Sequence, residues 1–199
     1  MPNCERFRDF VCAMTRLVDG AGGDEDRILR EGEVLLRDLV SHDDWLPAAF
    51  AEPRTDGYQQ YLLYCDPMER FSVVSFVWGP GAKTPIHDHT VWGLVGMLRG
   101  AETSTAYARC PDSGRMIPGA VTRLAPGGIE KVSPRIGDIH VVENAYADRP
   151  SISIHVYGAN IGAVKRHVFD PETGTARSFV SGYSSAVIPN IWDRSREAA

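Results

Sequence analysis

His87 and His89 form an H-x-H pair behind the lead Gly79-Pro-Gly-Ala-Lys-Thr-Pro-Ile, and His140 closes the run Pro134-Arg-Ile-Gly-Asp-Ile-His. Residues two apart on a strand project to the same side, so His87 and His89 are expected to grip one ion while a third imidazole arrives from another strand. Neutral imidazoles suit iron, zinc, copper or nickel, and three of them leave coordination positions open for a substrate. The pattern points to a metal-dependent enzyme. His42 and His167 lack such spacing and read as ordinary polar residues of intermediate burial.

A second cluster lies in Ser151-Ile-Ser-Ile-His-Val-Tyr157, where Ser153, His155 and Tyr157 alternate with Ile154 and Val156. Period-two alternation puts the three polar groups on one strand face. Two readings stand: a half-buried face whose polar groups satisfy one another, or a relay serving a metal site. Arg166, within Lys165-Arg166-His167, is either part of a solvated strand edge or a guanidinium turned inward, where it would need an anionic partner. Trp78 and Trp92 could line the cavity, but the favoured reading is that both are core aromatics.

The elements that must carry these groups change period once. Phe7, Phe10, Val11, Met14, Leu17 and Val18 recur at helical spacing, Gly20 to Gly23 interrupt, and Ile28, Leu29, Leu35, Leu36, Leu39 and Val40 resume it,. Two amphipathic helices are expected, the second capped by Asp24 or Asp26. Ser41 followed by Asp44 reads as the start of a short turn around Trp45 to Phe50. Beyond Pro53 short apolar runs are punctuated by Gly, Pro and Asp: 61–64, 71–78, 91–98, 103–107, 120–124, 129–132, 139–142, 152–157 and 166–169. That rhythm predicts an antiparallel sandwich or jelly-roll barrel. The expected organisation is a helical segment over 1–52 packed on a barrel over 53–199, with a polar tail from Trp192 on.

At 199 residues the chain can bury a full core without staples,. Cys4, Cys12, Cys65 and Cys110 show no C-x-x-C spacing and no signal peptide is recognisable, so free thiols in a reducing cytoplasm are expected,. No apolar run approaches the ~20 residues of a membrane span. The net charge of −5, without a basic cluster, argues against nucleic acid as a partner,. A monomer or weak homo-oligomer is expected.

The histidine motifs resemble those of the cupin superfamily. Gly81, His87, His89 and Gly100 match its first motif and Pro134, Gly137, His140 and Asn144 its second, with one extra residue between Pro134 and Gly137. The Glu usual after the H-x-H pair is missing: Thr90, Val91, Trp92, Gly93 and Leu94 occupy that stretch. A cupin without that Glu, preceded by two helices and carrying Ser153, His155 and Tyr157, is similar to the cysteine dioxygenase family of thiol dioxygenases. The resemblance is closest to a bacterial branch that includes 3-mercaptopropionate dioxygenases. It implies a cupin jelly-roll with N-terminal helices, Fe(2+) on His87, His89 and His140, and a Ser-His-Tyr triad beside the iron. It also implies a small thiol and O₂ as substrates, and a sulfinate as product. Animal-type members carry a Cys, thioether-linked to the triad Tyr, near the position of Gly93, and an Arg for the substrate carboxylate where Gln60 stands here; the bacterial branch uses an Arg downstream, at the place of Arg166. 3-Mercaptopropionate, L-cysteine or both are therefore the implied thiols. Other cupin chemistry with the same ligands, such as ring cleavage or isomerisation, and a non-catalytic metal or ligand sensor remain open, because cupins host many functions.

Overall fold

The computed structural model describes residues 4–54 and 57–185; the expected polar tail from Trp192 lies outside them. Two helices come first, α1 (Cys4–Ala21) and α2 (Glu25–Val40). Asp24 caps α2 by accepting the Arg27 N–H at 3.0 Å,. Ser41, expected to open a further turn, instead closes α2: its N–H reaches the carbonyls of Arg37 and Asp38. The 3-10 turn Ala48–Phe50 that follows has no side-chain cap, Pro47 being the residue before it. None of the described helices is long and apolar enough to cross a membrane.

Ten strands follow: β1 (Tyr58–Cys65), β2 (Ser72–Trp78), β3 (Gly93–Arg99), β4 (Glu102–Arg109), β5 (Met116–Leu124), β6 (Ile129–Val132), β7 (His140–Asn144), β8 (Ser151–Tyr157), β9 (Arg166–Phe169) and β10 (Ala176–Phe179). They form one antiparallel sheet of order β1-β2-β8-β3-β6, a three-stranded sheet β5-β4-β7 and the pair β9-β10. Segment 82–88 joins the last two. Thr84 N–H bonds to Val142 O, His87 and His140 exchange both backbone bonds, and Phe169 N–H reaches Ile86 O. A second sheet thus faces the first, and the fold is a mainly β jelly-roll barrel with N-terminal helices.

Alternation along β2 and β8 explains why both strands are buried throughout. Val73 and Val77 of β2, with Ile152, Ile154 and Val156 of β8, pack outward against Met14, Leu36 and Leu39 of the helices. Val74, Phe76 and Trp78 point the other way and meet Val142 and Tyr157 inside the barrel. Glycine lets α2 lie close to β3: a Cβ on Gly96 would stand 2.9 Å from Leu36 Cγ and 3.0 Å from Val40 Cγ1. The helices therefore cover the outer face and leave the inner face free to carry polar chemistry. Asn144, the last residue of the second histidine motif, serves the scaffold: its amide donates to the carbonyls of Gly79 and Arg149 and accepts from Ser151 Oγ and Tyr146 N–H.

Candidate metal centre

The three histidines converge inside the barrel. One ligand atom from each of His87, His89 and His140 falls within 4.8 Å of the other two, and the ring centroids are 4.9–5.0 Å apart. The H-x-H pair is not in a regular strand, contrary to the simplest sequence reading. His87 lies near the end of segment 82–88 and bridges to β7 and β9. His89 sits in the turn that follows, where Thr90 has φ 61°. Asp138 holds that turn by accepting the N–H groups of His89 and Thr90 at 3.0 and 2.9 Å.

Each imidazole is oriented through its Nδ1. His87 Nδ1 lies 3.1 Å from Pro85 O, His89 Nδ1 2.9 Å from Asp138 Oδ1, and His140 Nδ1 3.1 Å from Ser104 Oγ. A carbonyl and a carboxylate only accept, so in His87 and His89 the proton is on Nδ1 and the Nε2 lone pair is free. Ser104 can accept the Nδ1–H of His140 in the same way. Three free nitrogen lone pairs around one point, each backed by an acceptor, are the donor set of an imidazole-bound transition metal. Burial reinforces neutrality, driving His87 down to about 3 and His140 well below the ordinary histidine value,. Asp138 resists its own burial because the His89 ring and the backbone N–H groups stabilise its charge, and its pKa is lowered.

The centre opens into a cavity of about 270 Å³ lined among others by Gln60, Phe76, Trp78, Tyr157 and Arg166. β8 sets its polar wall. Ser153 Oγ is 2.7 Å from His155 Nε2, and His155 Nδ1 is 2.8 Å from Tyr157 Oη. All three residues are buried, and the Tyr157 ring stacks on His89 at 5.3 Å. Burial raises the Tyr157 pKa, keeping the phenol protonated, and holds His155 well below its usual value. Trp78, read from sequence as a core aromatic, lines the cavity and donates its indole N–H to Ser153 Oγ at 3.0 Å. Trp92 is half-buried and packs against the core beside the helices.

Arg166 is 3% exposed and faces the cavity, not a solvated edge. Its Nη2 donates to Ser181 Oγ at 2.6 Å, its Nε has no partner, and its guanidinium lies 4.7 Å from the Phe179 ring. The groups around it are chiefly phenols, Tyr157, Tyr58 and Tyr183, and burial lowers its pKa. Gln60 lines the same end, its amide nitrogen donating to Ser181 Oγ and Gly182 O. His42 is a surface residue bonded to Ser41. His167 pairs with Asp88 at 2.8 Å outside the three-histidine group. The four cysteines are free, and none lines the cavity. Opposite Tyr157 in the β3–β8 register is Gly93, where a Cβ would come within 2.9 Å of the phenol ring.

Sequence reasoning missed Asp138, Ser104 and Ser181. Asp138 carried a readable signal, an acid two residues before a ligand histidine, whereas Ser104 and Ser181 reach the site only through tertiary packing.

The fold and donor set define a cupin-type barrel with three histidines placed to hold a metal. Residues 42–171, well over half of the chain, match the family model described as Cysteine dioxygenase type I, and the chain belongs to that family. Bovine cysteine dioxygenase type 1 is 30% identical over 119 residues, covering 58% of this chain and 58% of the relative. The human protein of that name is 32% identical over 108 residues, covering 53% and 52%. The chain thus spans a little over half the length of the curated relatives it matches. Among solved structures, a double-stranded β-helix protein from Klebsiella pneumoniae superposes with a TM-score of 0.43 at 16% identity over 69% of this chain and 97% of its own. A cupin superfamily protein from Desulfitobacterium hafniense gives 0.44 at 15% over 59% and 93%. The fold assignment rests on the strand order of the chain itself.

Proposed function

We propose that this protein is a non-haem iron thiol dioxygenase of the cytoplasm that oxidises a small carboxylated thiol to its sulfinate with O₂, 3-mercaptopropionate being preferred to L-cysteine. The observation that carries the reading is one cavity holding three free imidazole lone pairs at one end and a buried guanidinium without an anionic partner at the other. His87, His89 and His140 fit Fe(2+), and they leave its full dipositive charge uncompensated. Bound there, iron would hold the thiol as thiolate and bring O₂ to the same centre, taking sulfur two steps up its oxidation ladder.

The chain's own residues supply position and protons. Arg166 offers a planar fork for a carboxylate, and its unpartnered Nε is the donor left open for one. Gln60, at the position where animal-type relatives carry Arg, adds no second cation, so recognition rests on Arg166. An amine-free carboxylated thiol suits that arrangement. Tyr157 turns its hydroxyl to the cavity, and His155 and Ser153 hold it there. Phe76, Trp78 and Val142 keep that wall dry. A cavity of about 270 Å³ has room for a small thiol and O₂ beside the three histidines. O₂ consumption by the iron-loaded protein against 3-mercaptopropionate, L-cysteine, cysteamine and a catechol tests the proposal. Uptake with the carboxylated thiols supports it; uptake with catechol alone, or with none, overturns it.

A further inference from the structure

Gln60 and Arg166 meet at one hydroxyl. Ser181 lies just beyond β10, and its Oγ receives Arg166 Nη2–H at 2.6 Å and Gln60 Nε2–H at 3.2 Å. Gln60 and Arg166 are buried while Ser181 as a whole is exposed, so the hydroxyl stands on the solvent side of the guanidinium. Backbone bonds fix where it stands. Segment 181–184 runs along β1, the edge of the five-stranded sheet. Ser184 N–H donates to Gln60 O at 2.8 Å, and Gln60 N–H to Ser184 Oγ at 3.0 Å. Gly182 N–H reaches Gly162 O at 2.9 Å, and Tyr183 Oη accepts the Gly162 N–H and donates to Asn160 Oδ1. Gly162 must lack a side chain, because a Cβ there would overlap the Tyr183 ring.

Donor counting assigns the roles. A primary amide carries two N–H groups, and a hydroxyl has two lone pairs. Gln60 Nε2 gives one N–H to Gly182 O at 2.9 Å and the other to Ser181 Oγ. The Gly182 carbonyl can only accept, so the nitrogen of the amide is the end that faces it. Gln60 therefore has no donor left for a substrate carboxylate. Ser181 Oγ, receiving from both Gln60 and Arg166, has both lone pairs filled, and its own proton is left for solvent. Arg166 keeps its Nε–H, which has no partner among the described residues. Its Nη2 is tied to Ser181 and its guanidinium lies 4.7 Å from the Phe179 ring, so the fork is restrained from two sides.

We infer that Ser181 is a positioning residue that, itself braced by Gln60, holds the Arg166 guanidinium with its Nε–H open for a carboxylate, and that Gln60 acts on the substrate only through Ser181. The identity of the carboxylate rests on the thiol dioxygenase reading; the bracing of Arg166 does not.

The test uses the full chain. Side-chain ¹⁵N spectra of the ligand-free protein should show separate Arg166 Nη–H resonances, as a tethered guanidinium does. They should merge in Ser181→Ala and separate again in Ser181→Thr, which restores the hydroxyl. Calorimetry on the zinc-loaded protein, where no turnover follows, then reads affinity. Loss of the acceptor for a charged donor should weaken 3-mercaptopropionate about tenfold in Ser181→Ala, and cysteamine far less, with Ser181→Thr near wild type. In the iron-loaded protein the same change should fall on KM more than on kcat. Gln60→Met should loosen the Arg166 resonances and weaken 3-mercaptopropionate, yet add little in the Ser181→Ala background, because residues acting through one contact are not additive. Merged resonances in the wild type, equal weakening of both thiols, or fully additive losses overturn the inference. Should Ser181→Ala fail to fold, Gln60→Met carries the test: weaker 3-mercaptopropionate binding with the Arg166 resonances unchanged would make Gln60 a direct ligand and overturn it. Resonances as expected but neither thiol bound or oxidised removes the function reading alone. Selective thiol oxidation with merged wild-type resonances removes this inference alone.

Discussion

Replacing Arg166 by Met separates carboxylate recognition from every other property of the cavity. Met keeps much of the apolar stem and removes the charge, so the loss is not confounded by a large void. Arg166 is 3% exposed and its Nε has no partner, so a bound carboxylate would meet a desolvated charge. Truncating one side of such a buried pair costs roughly 2–5 kcal/mol. At ~1.4 kcal/mol per tenfold, kcat/KM for 3-mercaptopropionate should fall about 30-fold to a few thousandfold. Cysteamine, which has no carboxylate, should lose far less. The free protein should behave oppositely, because removing an unpaired buried cation relieves a desolvation cost that one bond to Ser181 offsets only in part,. Its thermal midpoint is expected to hold or rise. Oxygen-electrode kinetics with both thiols, beside a melting curve, decide the matter. Equal losses for the two thiols would refute the reasoning and return Arg166 to a structural role.

Three further outcomes follow from the same geometry. Asp138→Ala removes the acceptor behind His89 and the tie on its turn, so metal affinity measured by competition with a chelator should fall about 10- to 100-fold; unchanged affinity would show that Asp138 does not orient the ligand. In the metal-free protein His87, His140 and His155 have depressed pKa values, so below the ordinary histidine value the unfolded chain binds more protons. Stability should be full above that pH and fall on acidification at up to about 1.4 kcal/mol per pH unit for each histidine. Urea midpoints that stay flat down to the carboxylate range would contradict this. Finally, Tyr157 faces Gly93 and not a cysteine, so intact mass should show no loss of two hydrogens mapping to Tyr157.

Much of this architecture was legible because its signals are periodic. Alternation in 151–157 puts Ser153, His155 and Tyr157 on one strand face, and the apolar stripes of the two helices mark the face they cover. Boundaries were less visible where pairing partners, not local pattern, extend a strand. β5 begins at Met116 because β4 pairs with it as far as Arg109, and β10, unforeseen, exists because 176–179 has β9 to pair with. Segment 82–88 breaks the strand pattern with Pro85 and Lys83 yet is held in the sheet by bonds to β7 and β9, which is why the H-x-H pair converges without lying in a regular strand. Trp78 is both core and cavity wall, and the hydrogen bond of its indole N–H was not legible because that partner arrives only through the β2–β8 register, with Phe76 opposite Ser153. The burial of Glu102 gave no sign at all, since an acid in a short polar strand is ordinarily a solvated one.

Oxygen-isotope labelling of the product tests the central claim most directly. The iron-loaded protein is given 3-mercaptopropionate and ¹⁸O₂ without a reductant, and the product is weighed by mass spectrometry. A sulfinate carrying both heavy oxygens is the expected result. A singly labelled product, or a disulfide as the main product, would contradict it.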